Sequence, residues 1–167
     1  MRIRAILPAL AAAAFLALAG AGPALADSPH FLSAANSVSA ADGSLTTGFK
    51  DAGLGTGLSS VQVTLHVATA TAVYQCWNGG GNHPQAGNKE TVVTSLSVSG
   101  DFPVRNGQTT GSLTAGPPGP GGFACPSGQA LFLQEVTYAG VSLSDQTGNS
   151  ATASPDPIST GPIHLPV

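Results

Sequence analysis

The stretch Ser60–Cys76, SVQVTLHVATATAVYQC, carries the strongest periodic signal in the chain. Val61, Val63, Leu65 and Val67 share one parity and Gln62, Thr64 and His66 the other, which is the period of a strand with one face on a core and one in solvent. Past Val67 the large side chains change parity, to Tyr74 and Cys76. Fully extended, the stretch would span about 50 Å at about 3.3 Å per residue, beyond a usual strand, so a bulge or change of sheet is expected near Ala68–Ala70.

The same reading predicts strands at Ser44–Phe49, Thr91–Ser99, Gln108–Thr114, Ala130–Tyr138, Val141–Asp145 and Asn149–Ala153. Turn clusters separate them: DAGLGTG at 51–57, PVRNG at 103–107, AGPPGPGGFACPSG at 115–128 and DQTGN at 145–149. After the first 26 residues no window keeps a helical apolar face without Gly, Pro or β-branched interruption. Short strands with regular turn signals predict an all-β, single-domain antiparallel β-sandwich, immunoglobulin-like in broad architecture. The proline-bearing tail SPDPISTGPIHLPV is expected as an edge segment or a loosely held end, because Pro cannot join a central strand.

Residues 1–26 read as a secretory signal peptide: Arg2 and Arg4 precede an apolar run, Ile6–Leu18, and ALA at 24–26 precedes Asp27. The run is short for a membrane span and contains Pro8, so no membrane attachment is expected after cleavage. A 27–41 flexible N-terminal segment and a 42–167 sandwich domain complete the expected organisation. Without the signal, Lys50, Lys89 and Arg105 face eight carboxylates, a side-chain charge of −5. A nucleic-acid partner is excluded on that balance, since phosphate neutralisation needs clustered cations. Val, Leu and Phe recurring in alternation argue against wholesale disorder. Cys76 and Cys125, in a chain bound for an oxidising compartment, predict one disulfide, whose loop of about 50 residues would stabilise the fold by about 4 kcal/mol in the chain-entropy model.

Residues able to carry chemistry are sparse. No G-x-S-x-G turn occurs, and neither cysteine is expected to be free. Glu90 and Glu135 are the only glutamates. Strict alternation places Leu131, Leu133, Glu135 and Thr137 on one face of their strand, with Ala130, Phe132, Gln134, Val136 and Tyr138 on the other. A small hydrolase would require two or more of His83, Glu90, Asp101, Glu135 and Asp145 to converge on one cleft; the residue types weigh against catalysis. His30, His66, His83 and His164 show no ligand spacing, and His66 lies on the polar parity of its strand. Asp145, Thr147 and Asn149 could offer oxygens to calcium, but hairpin turn chemistry explains DQTGN without an ion. No metal and no cofactor are expected.

YQCWNGGGNHPQAGNKE, Tyr74–Glu90, is the stretch most suggestive of binding. If Tyr74 and Cys76 point inward, Trp77 points to the opposite face. An exposed Trp beside glycines suits stacking on a sugar ring or other flat ligand, with Asn78, Asn82 and His83 as polar contacts. The alternative is a Trp covering the open end of the sandwich above a self-packed loop from Trp77 to Glu90.

This loop, with FPVRNGQTTGSLT, CPSG and VTYAGVSLSDQTGNSA, resembles a group of small secreted proteins of filamentous actinobacteria with no assigned activity. The likeness covers nearly the whole mature chain; it implies secretion and one disulfide and transfers no catalytic residue. A fainter similarity, in size, composition and all-β pattern, is to immunoglobulin-like apoproteins that carry enediyne chromophores. Their second disulfide is missing here, and their binding role is not carried across. The expectation is a secreted, extracellular, monomeric, non-catalytic binding or structural surface module for an unknown extracellular ligand, with a glycan or cell-wall polymer the candidate. The alternatives are a carbohydrate- or small-ligand-binding module centred on Trp77, a small secreted hydrolase, or an inhibitor of another protein.

Overall fold

The computed structural model describes residues 28–79 and 84–167. Among them run the strands β1 (His30–Val38), β2 (Leu45–Ala52), β3 (Ser60–Asn78), β4 (Pro84–Pro103), β5 (Gln108–Ala115), β6 (Gln129–Asp145), β7 (Ser150–Thr152), β8 (Ile158–Ser159) and β9 (Leu165–Pro166). One sheet has the order β1-β2-β5; the other runs β4-β3-β6-β7, with β8 and β9 also paired to β6. Every ladder is antiparallel. The two sheets face each other across one core, so the chain is a β-sandwich. Among the described residues no helix is long and apolar enough to cross a membrane.

β3 is the spine of the core. Val61, Val63, Leu65 and Val67 point inward, and after Val67 the inward set becomes Ala70, Ala72, Tyr74 and Cys76, all buried. The expected irregularity is present: the register with β4 shifts between Val67 and Ala70. β6 changes parity at the same level, from Leu133, Val136 and Tyr138 to Val141 and Leu143. Gly140 makes this possible. Its φ is +66°, and a Cβ there would lie 2.6 Å from the Cβ of Ala68. A matched irregularity in two adjacent strands keeps apolar groups inside along a ladder too long for simple alternation. Leu45, Phe49, Leu113 and Ala115 close the core from the other sheet.

Two expectations change. Residues 30–38, expected within a flexible lead-in, form β1, which pairs with β2 over its length. The Asn36 N–H donates to Ser154 O (2.8 Å) and its Nδ2 to Pro155 O (3.0 Å), while Thr47 Oγ1 donates to Asn36 Oδ1 (2.7 Å). β1 thus holds the chain just beyond β7. The long loop expected from Trp77 to Glu90 is a hairpin, since β4 begins at Pro84, opposite Trp77. Of the two forms expected for the C-terminal segment, it takes the edge form: β8 and β9 lie along β6, and Ile163 N–H donates to Gln134 O (2.7 Å). The signal-peptide residues lie outside the described range.

Candidate ligand-binding surface

Tyr74, Cys76 and Trp77 sit at the end of β3, where sheet geometry gives each a direction. Tyr74 is buried and its hydroxyl donates to Pro118 O (2.5 Å); Cys76 is fully buried and bonded to Cys125, with Cα atoms 5.6 Å apart. Both draw the Pro/Gly connection between β5 and β6 onto the inner face. Trp77 takes the other parity and lies on the outer face, half-buried, as alternation predicts.

On that outer face Trp77 has two aromatic neighbours. Phe132 of β6 lies edge-on to the indole at 6.2 Å between centroids, and His164, just before β9, does so at 4.3 Å. Phe132 and His164 stack on each other at 3.9 Å with planes 10° apart. Gln134 Nε2 lies 3.3 Å from His164 Nδ1, which orients the imidazole. Phe132 is half-buried and His164 exposed. The indole is therefore neither open nor sealed: the C-terminal segment lays an imidazole against it. Trp77 Nε1 is buried and finds no acceptor among the described residues.

Amides lie at the same end of these strands, on the parity of Cys76 rather than of Trp77. Asn78 is exposed and opposite Gln129, and Asn88 Nδ2 donates to Gln129 Oε1 (2.9 Å). Of the sequence-predicted contacts, Trp77 is on the outer face and Asn78, next along the strand, takes the opposite parity; Asn82 and His83 lie outside the described residues.

Phe132 and His164 were not anticipated. Strict alternation put Phe132 on one face with Val136 and Tyr138, but the β3–β6 register shifts between Val73 and Tyr74, so that Val73 opposes Glu135 and Tyr74 opposes Leu133. Leu133, Val136 and Tyr138 therefore point inward, and Phe132, opposite Gln75, points out with Trp77. A one-residue irregularity reverses every side chain on one side of it. His164 had no sequence signal, because its place depends on β9 pairing with β6.

The inner side of the same end holds a cleft of about 470 Å³. Tyr74, Pro117, Pro120, Leu133, Leu165 and Pro166 give it mostly apolar walls. β9 separates this cleft from the outer aromatic group.

The described carboxylates named for a hydrolase do not converge. Glu90 and Asp101 are exposed on β4, Glu135 accepts a hydrogen bond from Ser159 Oγ (3.0 Å), and Asp145 is buried at the far end of β6. Among the described residues no three His, Cys, Asp or Glu side chains gather. His66 is exposed and lies 2.8 Å from Ser144 Oγ, as a polar-face residue should.

One carboxylate pair does form, and it involves a residue the sequence did not single out. Asp51 of β2 is 0% exposed and faces Asp145, 7% exposed, across the gap between the sheets. Burial, and after it the neighbouring Asp145, pushes the Asp51 carboxyl up to about 7. Burial alone would raise Asp145 too, but hydrogen bonds from Thr147, Asp51 and Asn149 hold it below the usual carboxylate range.

No protein-family model matches the chain, and neither a curated protein nor a solved structure matches it.

Proposed function

We propose that this chain is a secreted, non-catalytic binding module whose ligand contact is the outer aromatic group Trp77–Phe132–His164, and that the ligand is a glycan or cell-wall polymer. The observation that carries this reading is the gathering of three rings from three separate segments on the solvent side of a sheet, where core packing does not require them. Ring faces and edges suit the apolar faces of sugars. Secretion and the single disulfide are consistent with each other, since disulfides persist in oxidising compartments.

A second reading rests on the inner cleft. Its volume and apolar walls suit a small hydrophobic molecule, and it lies within the usual range for small-ligand sites, about 300–1,000 Å³.

Trp77 is the only tryptophan, so its fluorescence reports on this surface directly. The protein is titrated with soluble glycans and sedimented with insoluble cell-wall polymers. Binding should change Trp77 emission, and Phe132→Ala should weaken it at least tenfold, equivalent to about 1.4 kcal/mol. Binding unaffected by Phe132→Ala and His164→Ala would eliminate the outer surface. An apolar ligand competing at the cleft, blocked by Leu133→Trp, would favour the second reading.

A further inference from the structure

Asp51 and Asp145 belong to a larger group of buried polar atoms. Apart from the contact between the two carboxyls themselves, both oxygens of Asp51, Oδ2 of Asp145, Oγ1 of Thr109 and Nδ2 of Asn149 are buried with no hydrogen-bond partner among the described residues. Buried polar groups are nearly always satisfied, so several together call for one explanation.

Topology brings these four residues to one place. Asp51 and Thr109 are directly opposed in the β2–β5 ladder, and both are buried, Thr109 to 4% exposure. Directly opposed side chains on one face stand about 5 Å apart at Cβ. From the other sheet Asp145 faces Asp51, and Asn149 is held against Asp145 by its N–H donating to Oδ1 (3.2 Å). The DQTGN turn consumes that oxygen: Oδ1 of Asp145 also accepts from the Thr147 N–H (2.7 Å) and Thr147 Oγ1 (2.5 Å). Turn chemistry thus explains Oδ1 and leaves Oδ2 directed inward.

Two like-charged carboxylates meet in a buried site only if something positive lies between them. Among the described residues no Lys, Arg or His donates to any of these atoms, and His30 acts on Asp51 only through space. A proton shared by the pair would engage one oxygen of Asp51 and Oδ2 of Asp145. It would leave the second Asp51 oxygen, the Thr109 hydroxyl and the Asn149 amide without partners. A metal ion engages all of them, once the Asn149 amide is turned to present Oδ1, an assignment that leaves its shape unchanged.

We propose that Asp51, Thr109, Asp145 and Asn149 form a binding site for a divalent cation of calcium's class, clamping the two sheets together at the end opposite Trp77. The donors are all oxygen, which selects a hard cation, and the two carboxylates balance its charge. Calcium accepts irregular geometry and can complete its shell of about six to eight oxygens from these side chains with a neighbouring backbone carbonyl or a single water, whereas magnesium holds several waters in a strict octahedron that this buried site does not admit.

The test starts from chelator-treated protein, with calcium chloride and magnesium chloride as probes, read by calorimetric titration and thermal unfolding. Calcium should bind at one ion per chain. At about 100-fold excess over Kd, Tm should rise by about 5–10 °C, and magnesium should do far less. Thr109→Val keeps the shape and removes only the hydroxyl; it should weaken calcium binding at least tenfold. Asp51→Asn and Asp145→Asn should abolish it, and if either fails to fold, Thr109→Val decides. No bound calcium at about 10 mM, above the range for extracellular calcium modules, would overturn the proposal. So would calcium binding that Asp51→Asn and Thr109→Val leave unchanged. A folded Asp51→Asn chain that is more stable than the parent in chelator and indifferent to calcium would instead assign the pair to a shared proton.

Discussion

Gly111 shows how one residue's side chain, or its lack of one, couples the two sheets. It lies in β5 opposite Phe49, beneath the ring of Phe102, which reaches over from the end of β4. A Cβ at Gly111 would stand 2.3 Å from Phe102 Cε1 and 3.1 Å from Phe49 Cζ. Phe49 and Phe102 meet edge to face at 4.9 Å, and Phe31 adds a further edge contact at 6.1 Å. Replacing a strand glycine by alanine ordinarily stabilises by about 0.5–1 kcal/mol through backbone entropy. Here the displaced ring outweighs that gain, and Gly111→Ala should destabilise by about 1–3 kcal/mol. Chemical denaturation measures it. The double variant Gly111→Ala, Phe102→Leu should recover part of the loss, because the two sites share one contact. Equal costs with and without Phe102 would show that the ring is not the cause.

At the scale of elements, the disulfide fixes the irregular connection between β5 and β6 to the regular spine. Residues 116–128 contain only short turns, yet Tyr74, Cys76 and the packing of Phe123 on the core hold them. The bridge closes a sequence separation of 49, for which chain entropy gives about 4 kcal/mol. The paired change Cys76→Ser, Cys125→Ser should lower Tm by roughly 10 °C, and Trp77 fluorescence should shift as the neighbouring end of β3 loosens. An unchanged Tm would mean that Tyr74 and Phe123 alone hold the connection.

The alternation from Val61 to Val67 and the parity change before Tyr74 made β3 and its irregularity legible in the sequence, because core burial imposes period two. The parity of Trp77 followed from the same rule. Phe132 was assigned to the wrong face because the second irregularity, at Gln134, leaves no mark in residue types. β1 was taken for flexible chain because Ser, Ala and Asn dominate it, and its order comes from Asn36 and the ladder with β2. Asp51 was hidden as well: a lone Asp after an apolar strand reads as a turn residue, and only pairing of the two sheets brings it to Asp145.

At the scale of the molecule, the two proposed sites occupy opposite ends of one strand. Asp145 pairs with Val63 near the start of β3, and the aromatic group centres on Trp77 near its end. Fourteen residues of strand separate those positions by about 45 Å at about 3.3 Å per residue. Between them lies a continuously packed core, from Val63 and Leu65 to Tyr74, with no buried polar bridge along β3. Coupling between distant sites requires an element with two arrangements that both ligands bias, and the packed ladder of β3 has a single arrangement. Each end should therefore act alone, the cation clamping the sheets and the aromatic surface taking the ligand. In a double-mutant cycle of Thr109→Val with Phe132→Ala, the stability changes should add to within about 0.5 kcal/mol, and calcium should leave ligand affinity unchanged within twofold. Non-additivity beyond 1 kcal/mol would show that β3 transmits a change in sheet packing from one end to the other, and the irregularity at Ala68 and Gly140, midway along it, would be the place to seek the hinge.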